Sequence, residues 1–265
     1  MPLSTEPFWA ALVDDAAIFP PGDAELGPAV AAHVARDEPL VGSFVLRDTD
    51  LPTLREHAGD ADLAVSVVLT GGAGQVAGPA AYCSRTGLRL AGLEVALRDL
   101  DDLPGNARRV VAAVDAARAD GSLDEETPVY VELPGPPSYG WLAAADEGAG
   151  AELRLKYRTN EVDSRTLAAW IDAALDRETP FKCTAGLHRA LRHDGGHGFL
   201  NVLLATVRAF DGAAADEVVA TLEDREPPLD PDELARGRRW FTSFGSCSID
   251  EPLADLRTLG LYLDE

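Results

Sequence analysis

Apolar and polar residues alternate over short stretches of this chain, and between those stretches apolar residues recur at helical spacing. Seven stretches read as strands: 42–47 (GSFVLR), 63–70 (LAVSVVLT), 90–97 (LAGLEVAL), 128–133 (PVYVEL), 152–159 (ELRLKYRT), 181–186 (FKCTAG) and 241–247 (FTSFGSC). Amphipathic, alanine-rich helices are predicted over 51–57, 75–84, 107–118, 138–145, 164–176 and 199–210, followed by 232–239 and 253–259. Asp163 or Ser164 is placed to cap the helix over 164–176, and Ser248 with Glu251 has capping-box spacing behind the last strand. Seven βα units in series predict a parallel sheet with right-handed crossovers, and a chain of 265 residues favours closing it. The expected fold is α/β, a single (β/α)8-like (TIM) barrel over residues 1–265, with 1–40 as an N-terminal extension packed on it. The eighth strand is expected at 16–19 (AAIF), ended by Pro20; without it the barrel is incomplete.

Side-chain parity divides each strand into two faces. Leu93, Val95 and Leu97 oppose Glu94; Val129, Val131 and Leu133 oppose Tyr130 and Glu132; Leu153, Leu155 and Tyr157 oppose Arg154, Lys156 and Arg158; Phe181 and Cys183 oppose Lys182 and Thr184. If the apolar sets face the helices, the barrel interior receives Glu94, Glu132, Lys156, Arg158, Lys182 and Thr184. Both faces of a parallel sheet are normally covered, so charges on four consecutive strands need a reason. A structural ion-pair network is one such reason; a catalytic pocket at the C-terminal strand ends is the other.

Composition sharpens this picture at one point. Of 23 basic residues, only Lys156 and Lys182 are lysines. An amine can lose its proton and attack a carbonyl, which a guanidinium cannot. The net charge of −22 argues against nucleic acid or an anionic membrane as partner. The N-terminus lacks a basic region before an apolar one, and three widely spaced cysteines fit free thiols, so a cytoplasmic location is expected. Cys183 and Cys247 read as small packing residues. A small anionic metabolite is the expected partner, homo-oligomerisation is left open, and no cofactor is called for.

The run Lys182-Cys183-Thr184-Ala185-Gly186 resembles the K-T-S-T-G stretch of deoxyribose-phosphate aldolases. The resemblance implies a barrel lyase whose lysine, on strand six, forms a Schiff base with a carbonyl substrate. Counting from 42–47, Lys182 falls on the sixth strand, and Glu132 on the fourth stands where the family carries an acidic proton-transfer residue. The family's second active-site lysine lies later, on the next strand, whereas Lys156 comes earlier. Lys182 is accordingly the expected nucleophile, its pKa lowered by the nearby Lys156 and Arg158; Glu132 or Glu94 moves protons, and Arg158 anchors the substrate anion.

Other features add candidates or rivals. His188, Arg189, His193 and His197 crowd a glycine-containing segment after the sixth stretch, where His188, Arg189 and Thr184 are expected to touch substrate. His193 and His197 are weak metal candidates, since Gly195-Gly196 interrupts their spacing. Ser246, in Phe244-Gly245-Ser246-Cys247-Ser248 before a helix, is a candidate phosphate contact. Asp14 and Asp15 either enter the pocket or lie at the surface, and the surface is the expectation. Non-covalent alternatives are an isomerase, a metal-assisted lyase, or a binding protein for an acidic metabolite using the same pocket. A more distant alternative is an NAD(P)-dependent oxidoreductase: Thr70-Gly71-Gly72-Ala73-Gly74 resembles the short-chain dehydrogenase fingerprint, with Glu94 as the ribose-binding acid.

Overall fold

The computed structural model describes residues 7–262. Among them, eight parallel strands close into a barrel in sequence order. The strands are β1 (Val13–Asp15), β2 (Val41–Arg47), β3 (Ala64–Leu69), β4 (Arg89–Ala96), β5 (Val129–Glu132), β6 (Arg154–Arg158), β7 (Phe181–Thr184) and β8 (Phe241–Ser246). Seven of them lie where the alternating pattern puts them. The helices are α1 (Leu26–Val34), α2 (Leu51–Ala58), α3 (Ala77–Thr86), α4 (Leu103–Ala119), α5 (Tyr139–Gly150), α6 (Ser164–Asp176), α7 (Phe199–Phe210), α8 (Ala215–Glu223), α9 (Pro231–Gly237) and α10 (Asp250–Thr258). No helix of the described residues is long and apolar enough to cross a membrane.

One expectation about the strands is corrected. The closing strand is Val13–Asp15, not 16–19, where Phe19 N–H bonds back to Ala16 C=O in a turn. β1 pairs with β8 through Val13–Phe244 and Asp14–Gly245, and with β2 through Val13–Val41. The segment 1–40 thus supplies a barrel strand and α1 rather than only an extension; residues 1–6 of it lie outside the described residues. Every later strand number rises by one. Glu94 stands on the fourth strand, Glu132 on the fifth, Lys156 on the sixth and Lys182 on the seventh.

The apolar core is a ring between strands and helices. Tyr157 stacks on Trp170 of α6 at 5.1 Å, Phe181 on Phe241 at 5.5 Å, and Phe244 on Phe199 of α7 at 4.7 Å. Tyr157 keeps its hydroxyl satisfied by donating to the Trp170 carbonyl at 2.8 Å. α7 is apolar nearly all round because α8 and α9 cover the side away from the barrel. α6 starts at Asp163, whose carboxylate accepts the Thr166 N–H at 2.7 Å. With the large apolar side chains turned outward, the barrel interior is left to the opposite parity, which is largely polar.

Candidate active site

Parity places the charged residues as the alternation implies. Strand register sets Glu132 beside Lys156 and Lys156 beside Lys182. Lys156 Nζ lies 3.0 Å from Glu132 Oε2 and 2.8 Å from Glu94 Oε2. The other Glu94 oxygen accepts from Lys182 Nζ at 2.8 Å, and Lys182 donates again to Asp14 Oδ2 at 2.7 Å. Asp14 also accepts from the hydroxyls of Ser43 and Ser243, both at 2.7 Å, and Ser43 in turn accepts from Ser66. Acid and base therefore alternate through the barrel: Glu132, Lys156, Glu94, Lys182, Asp14. Asp14 is buried here, against the expectation that it is at the surface; its partners come from strands distant in sequence.

The ladder joins two ends of the barrel. At the C-terminal mouth lies a pocket of about 340 Å³, lined by Glu94, Lys156, Arg158, Thr184, His188 and Arg47, with Phe19, Pro20, Val45 and Val68 as apolar walls. Lys182 faces the opposite end, where a second cavity is bordered by Asp14, Tyr130 and Ser243. At the mouth, Arg158 is exposed and no described residue hydrogen-bonds or pairs with it. Arg47 lies 4.6 Å above the Phe19 ring. Thr184 lines the same pocket, and its buried hydroxyl has no hydrogen-bond partner among the described residues. Beyond it the chain turns sharply at Gly186, whose φ of 120° and close approach to Asn160 admit no side chain without strain.

Electrostatics correct one mechanistic expectation. Each lysine lies between two carboxylates, and each has its pKa raised rather than lowered. Burial alone would lower Lys156, but Glu94 and Glu132 outweigh it; burial of Lys182 is likewise outweighed by Asp14 and Glu94. The same contacts hold Glu94, which burial would raise, down to about 2. Both lysines are thus held as ammoniums and Glu94 as a carboxylate.

Several expected contacts are also corrected. Ser246 is buried beneath His188: its hydroxyl donates to Ser248 C=O at 2.6 Å and accepts from His188 Nδ1 at 3.1 Å, so it orients His188 instead of lining the pocket. Arg189 is committed to a two-pronged ion pair with Asp255 at 2.7 and 2.8 Å. His197 donates from Nε2 to Val162 C=O at 2.8 Å and accepts from Arg192 on Nδ1, which leaves no lone pair for a metal. His193 Nδ1 accepts the Gly195 N–H at 3.1 Å, and no cluster of metal-ligating side chains occurs among the described residues. The Thr70–Gly74 loop runs into a short turn beside a closed barrel, and Glu94 is locked between two ammoniums inside it, so no ribose-binding acid is presented. Arg47, Ser43 and Ser243 lie outside the expected set; parity on β2 and β8 is their signal, whereas three-residue β1 is too short for parity to place Asp14.

No family model matches the chain, and no curated protein matches it. Solved structures do. A crystal structure of a protein assigned as a deoxyribose-phosphate aldolase from Toxoplasma gondii ME49 shares 14% identity at a TM-score of 0.57, over 97% of this chain and 96% of that one. A second from the same organism gives 17% and 0.55, over 97% and 94%. A protein so assigned from Coccidioides immitis gives 11% and 0.57, over 96% and 88%. The fold shared with these structures is the closed (β/α)8 barrel. At these identities the likeness is one of fold.

Proposed function

We propose that the chain is a lyase of the aldolase kind, acting on a small anionic carbonyl compound through an imine on Lys156. The observation that supports it most is the position of Lys156: on the sixth strand, lining the mouth pocket, with Lys182 of the seventh strand held through Glu94. The family that Lys182-Cys183-Thr184-Ala185-Gly186 resembles carries its imine-forming lysine on strand six and its second lysine on the next strand. Position and motif thus favour different lysines, and access favours Lys156. Lys156 reaches the mouth; Lys182 is 1% exposed and faces the other end.

Lys156 rests as an ammonium, so attack begins with a proton passed to Glu132, its more open partner. The freed amine forms a C–N bond to the substrate carbonyl carbon. The resulting hydroxyl leaves as water once Glu132 returns the proton; the protonated imine then takes up the electrons of the Cα–Cβ bond to become an enamine, while the β-hydroxyl gives its proton to Glu132 and departs as an aldehyde. Glu132 returns that proton to the enamine carbon, and water hydrolyses the imine, releasing the second product and the Lys156 ammonium. Glu94 and Lys182 keep a fixed charge behind the reacting nitrogen, while Arg158 and Arg47 hold the substrate anion.

The raised pKa of Lys156 favours a second reading, in which its ammonium polarises the carbonyl without a covalent bond and Glu132 moves a proton, as in an isomerase. Borohydride trapping with a panel of small aldehydes and keto acids, followed by peptide mass mapping, separates the two. An adduct on Lys156, absent from Lys156→Met, supports the lyase. Saturable binding without an adduct supports the non-covalent enzyme, and trapping undiminished in Lys156→Met overturns the assignment of Lys156.

A further inference from the structure

The cavity at the N-terminal end of the barrel has no part in that chemistry. Its volume is about 420 Å³, within the range of small-molecule sites. Barrels are usually filled at this level by branched side chains. Here the lining includes Ser43, Ala64, Ser66 and Ser243, which leave it open. Charge is unevenly placed around it. Arg89, Arg154, Arg238 and Lys182 border the space, and Asp14 is the only carboxylate. In a chain of net charge −22, that concentration of cations is local and specific.

Two of these guanidiniums lack a carboxylate partner among the described residues. Arg154, on β6, donates one N–H to the Tyr130 hydroxyl at 3.2 Å. Tyr130 passes its own proton to Thr242, which donates to Phe181 C=O, so the chain of donors runs one way and leaves Arg154 four unused N–H groups. Arg238 is held by the carbonyls of Phe8, Ala10, Phe241 and Thr242, a fixed positive charge neutralised by none of them. Burial holds its pKa down to about 10. Arg89 reaches Asp62 only at 3.7 Å and is exposed at the rim. Asp14, the one acid present, is already satisfied by Lys182 and two serines.

We propose that this lower cavity is a second ligand site, which takes a small phosphate or phosphomonoester on the fork of Arg154 with the fixed charge of Arg238 behind it. An anion there supplies the direct ion-pair partner that neither guanidinium has, since Asp14 acts on Arg238 without contact, and the planar fork fits two phosphate oxygens at once. The site is independent of imine chemistry at the mouth.

Thermal unfolding of the full chain with increasing inorganic phosphate, at ionic strength matched with sodium chloride, tests it; glycerol phosphate in a parallel titration distinguishes a free ion from an ester. A saturable rise in Tm of about 3–5 °C is expected at ten times the dissociation constant. The rise should be lost in Arg154→Ala and retained in Arg158→Ala. If Arg154→Ala does not fold, Arg154→Gln, which keeps a donor to Tyr130, takes its place. Absence of a saturable rise in the wild type, or its persistence in the Arg154 variant, overturns the proposal. So does its equal loss in Arg158→Ala, which would place the anion at the mouth.

Discussion

Glu94→Gln is the substitution whose consequences can be worked furthest. Glu94 is 1% exposed, accepts from Lys182 and forms an ion pair with Lys156, each at 2.8 Å. The amide removes the charge but keeps the shape, so two buried ammoniums face each other without their shared anion. Breaking a buried pair this way costs about 3–5 kcal/mol. Release of a proton by one lysine at pH 7 sets a ceiling of similar size, since moving from 10.5 to 7 costs about 5 kcal/mol. The acid side gives an independent figure. Lowering Glu94 from 4.5 to about 2 is worth about 3 kcal/mol of stability. Because the folded pKa lies below the unfolded one, that stability is complete above 4.5 and lost as pH falls towards 2. By pH 3 about 2 kcal/mol of it is gone. Urea unfolding followed by tryptophan fluorescence, at pH 7, 5 and 3, should show a difference of about 3–5 kcal/mol between wild type and Glu94→Gln that narrows on acidification. Urea is preferred because guanidinium would screen the charges. A difference below about 1 kcal/mol at pH 7, or one that does not change with pH, would refute the ladder as a source of stability.

Three further outcomes follow from the same geometry. Lys182→Met leaves Asp14 and Glu94 buried without their shared cation and should cost about 3–5 kcal/mol in urea unfolding, although Lys182 does not reach the mouth. Trapping on Lys156 should rise steadily from pH 7 to 10, because the raised pKa keeps the amine protonated at neutral pH; a flat profile would mean that proton loss is not limiting. Arg158→Gln should raise KM for anionic substrates about 10–100-fold, as loss of a charge-assisted contact does, and shift stability by less than about 0.5 kcal/mol, because the side chain is exposed and unpaired in the fold.

The barrel was legible in the sequence where alternation had room to show itself. Strands β2 to β8 carry four or more residues with an apolar outward set, and that set fixed the inward positions of Glu94, Glu132, Lys156 and Lys182. β1 has three residues, Val13-Asp14-Asp15, too short for a period of two to register. Its paired acids looked like surface, although Asp14 meets Lys182 and Asp15 meets His33 at 3.0 Å. Missing that strand shifted every strand number by one, and the proposed assignment of the imine to Lys156 rests on the corrected count. The helices α1 and α8 were also passed over; α1 holds a proline, and the first turn of α8 is acidic and exposed. Contacts across the loops were not legible at all. Arg189 with Asp255, and Ser246 with His188, depend on how segments far apart in sequence fold over the mouth.

The ladder also explains why the mouth carries guanidiniums in so acidic a chain. Glu132, Glu94 and Asp14 set three carboxylates against the two ammoniums of Lys156 and Lys182, so the ladder carries one formal negative charge. Such a pocket repels an anion from the nitrogen meant to attack it. Arg47 and Arg158, which line the same pocket, reverse the sign at the rim, where the substrate's charged end would sit. The carbonyl can then reach Lys156 while the anion stays outside the field of Glu94. Charge at the rim and charge in the ladder are in this sense one arrangement: neutralising Glu132 would ease the repulsion but remove the proposed acceptor of the Lys156 proton. Glu132→Gln should therefore bind anionic substrates more tightly than wild type yet turn them over more slowly. Weaker binding in that variant would show that Glu132 acts on the substrate through some route other than its charge.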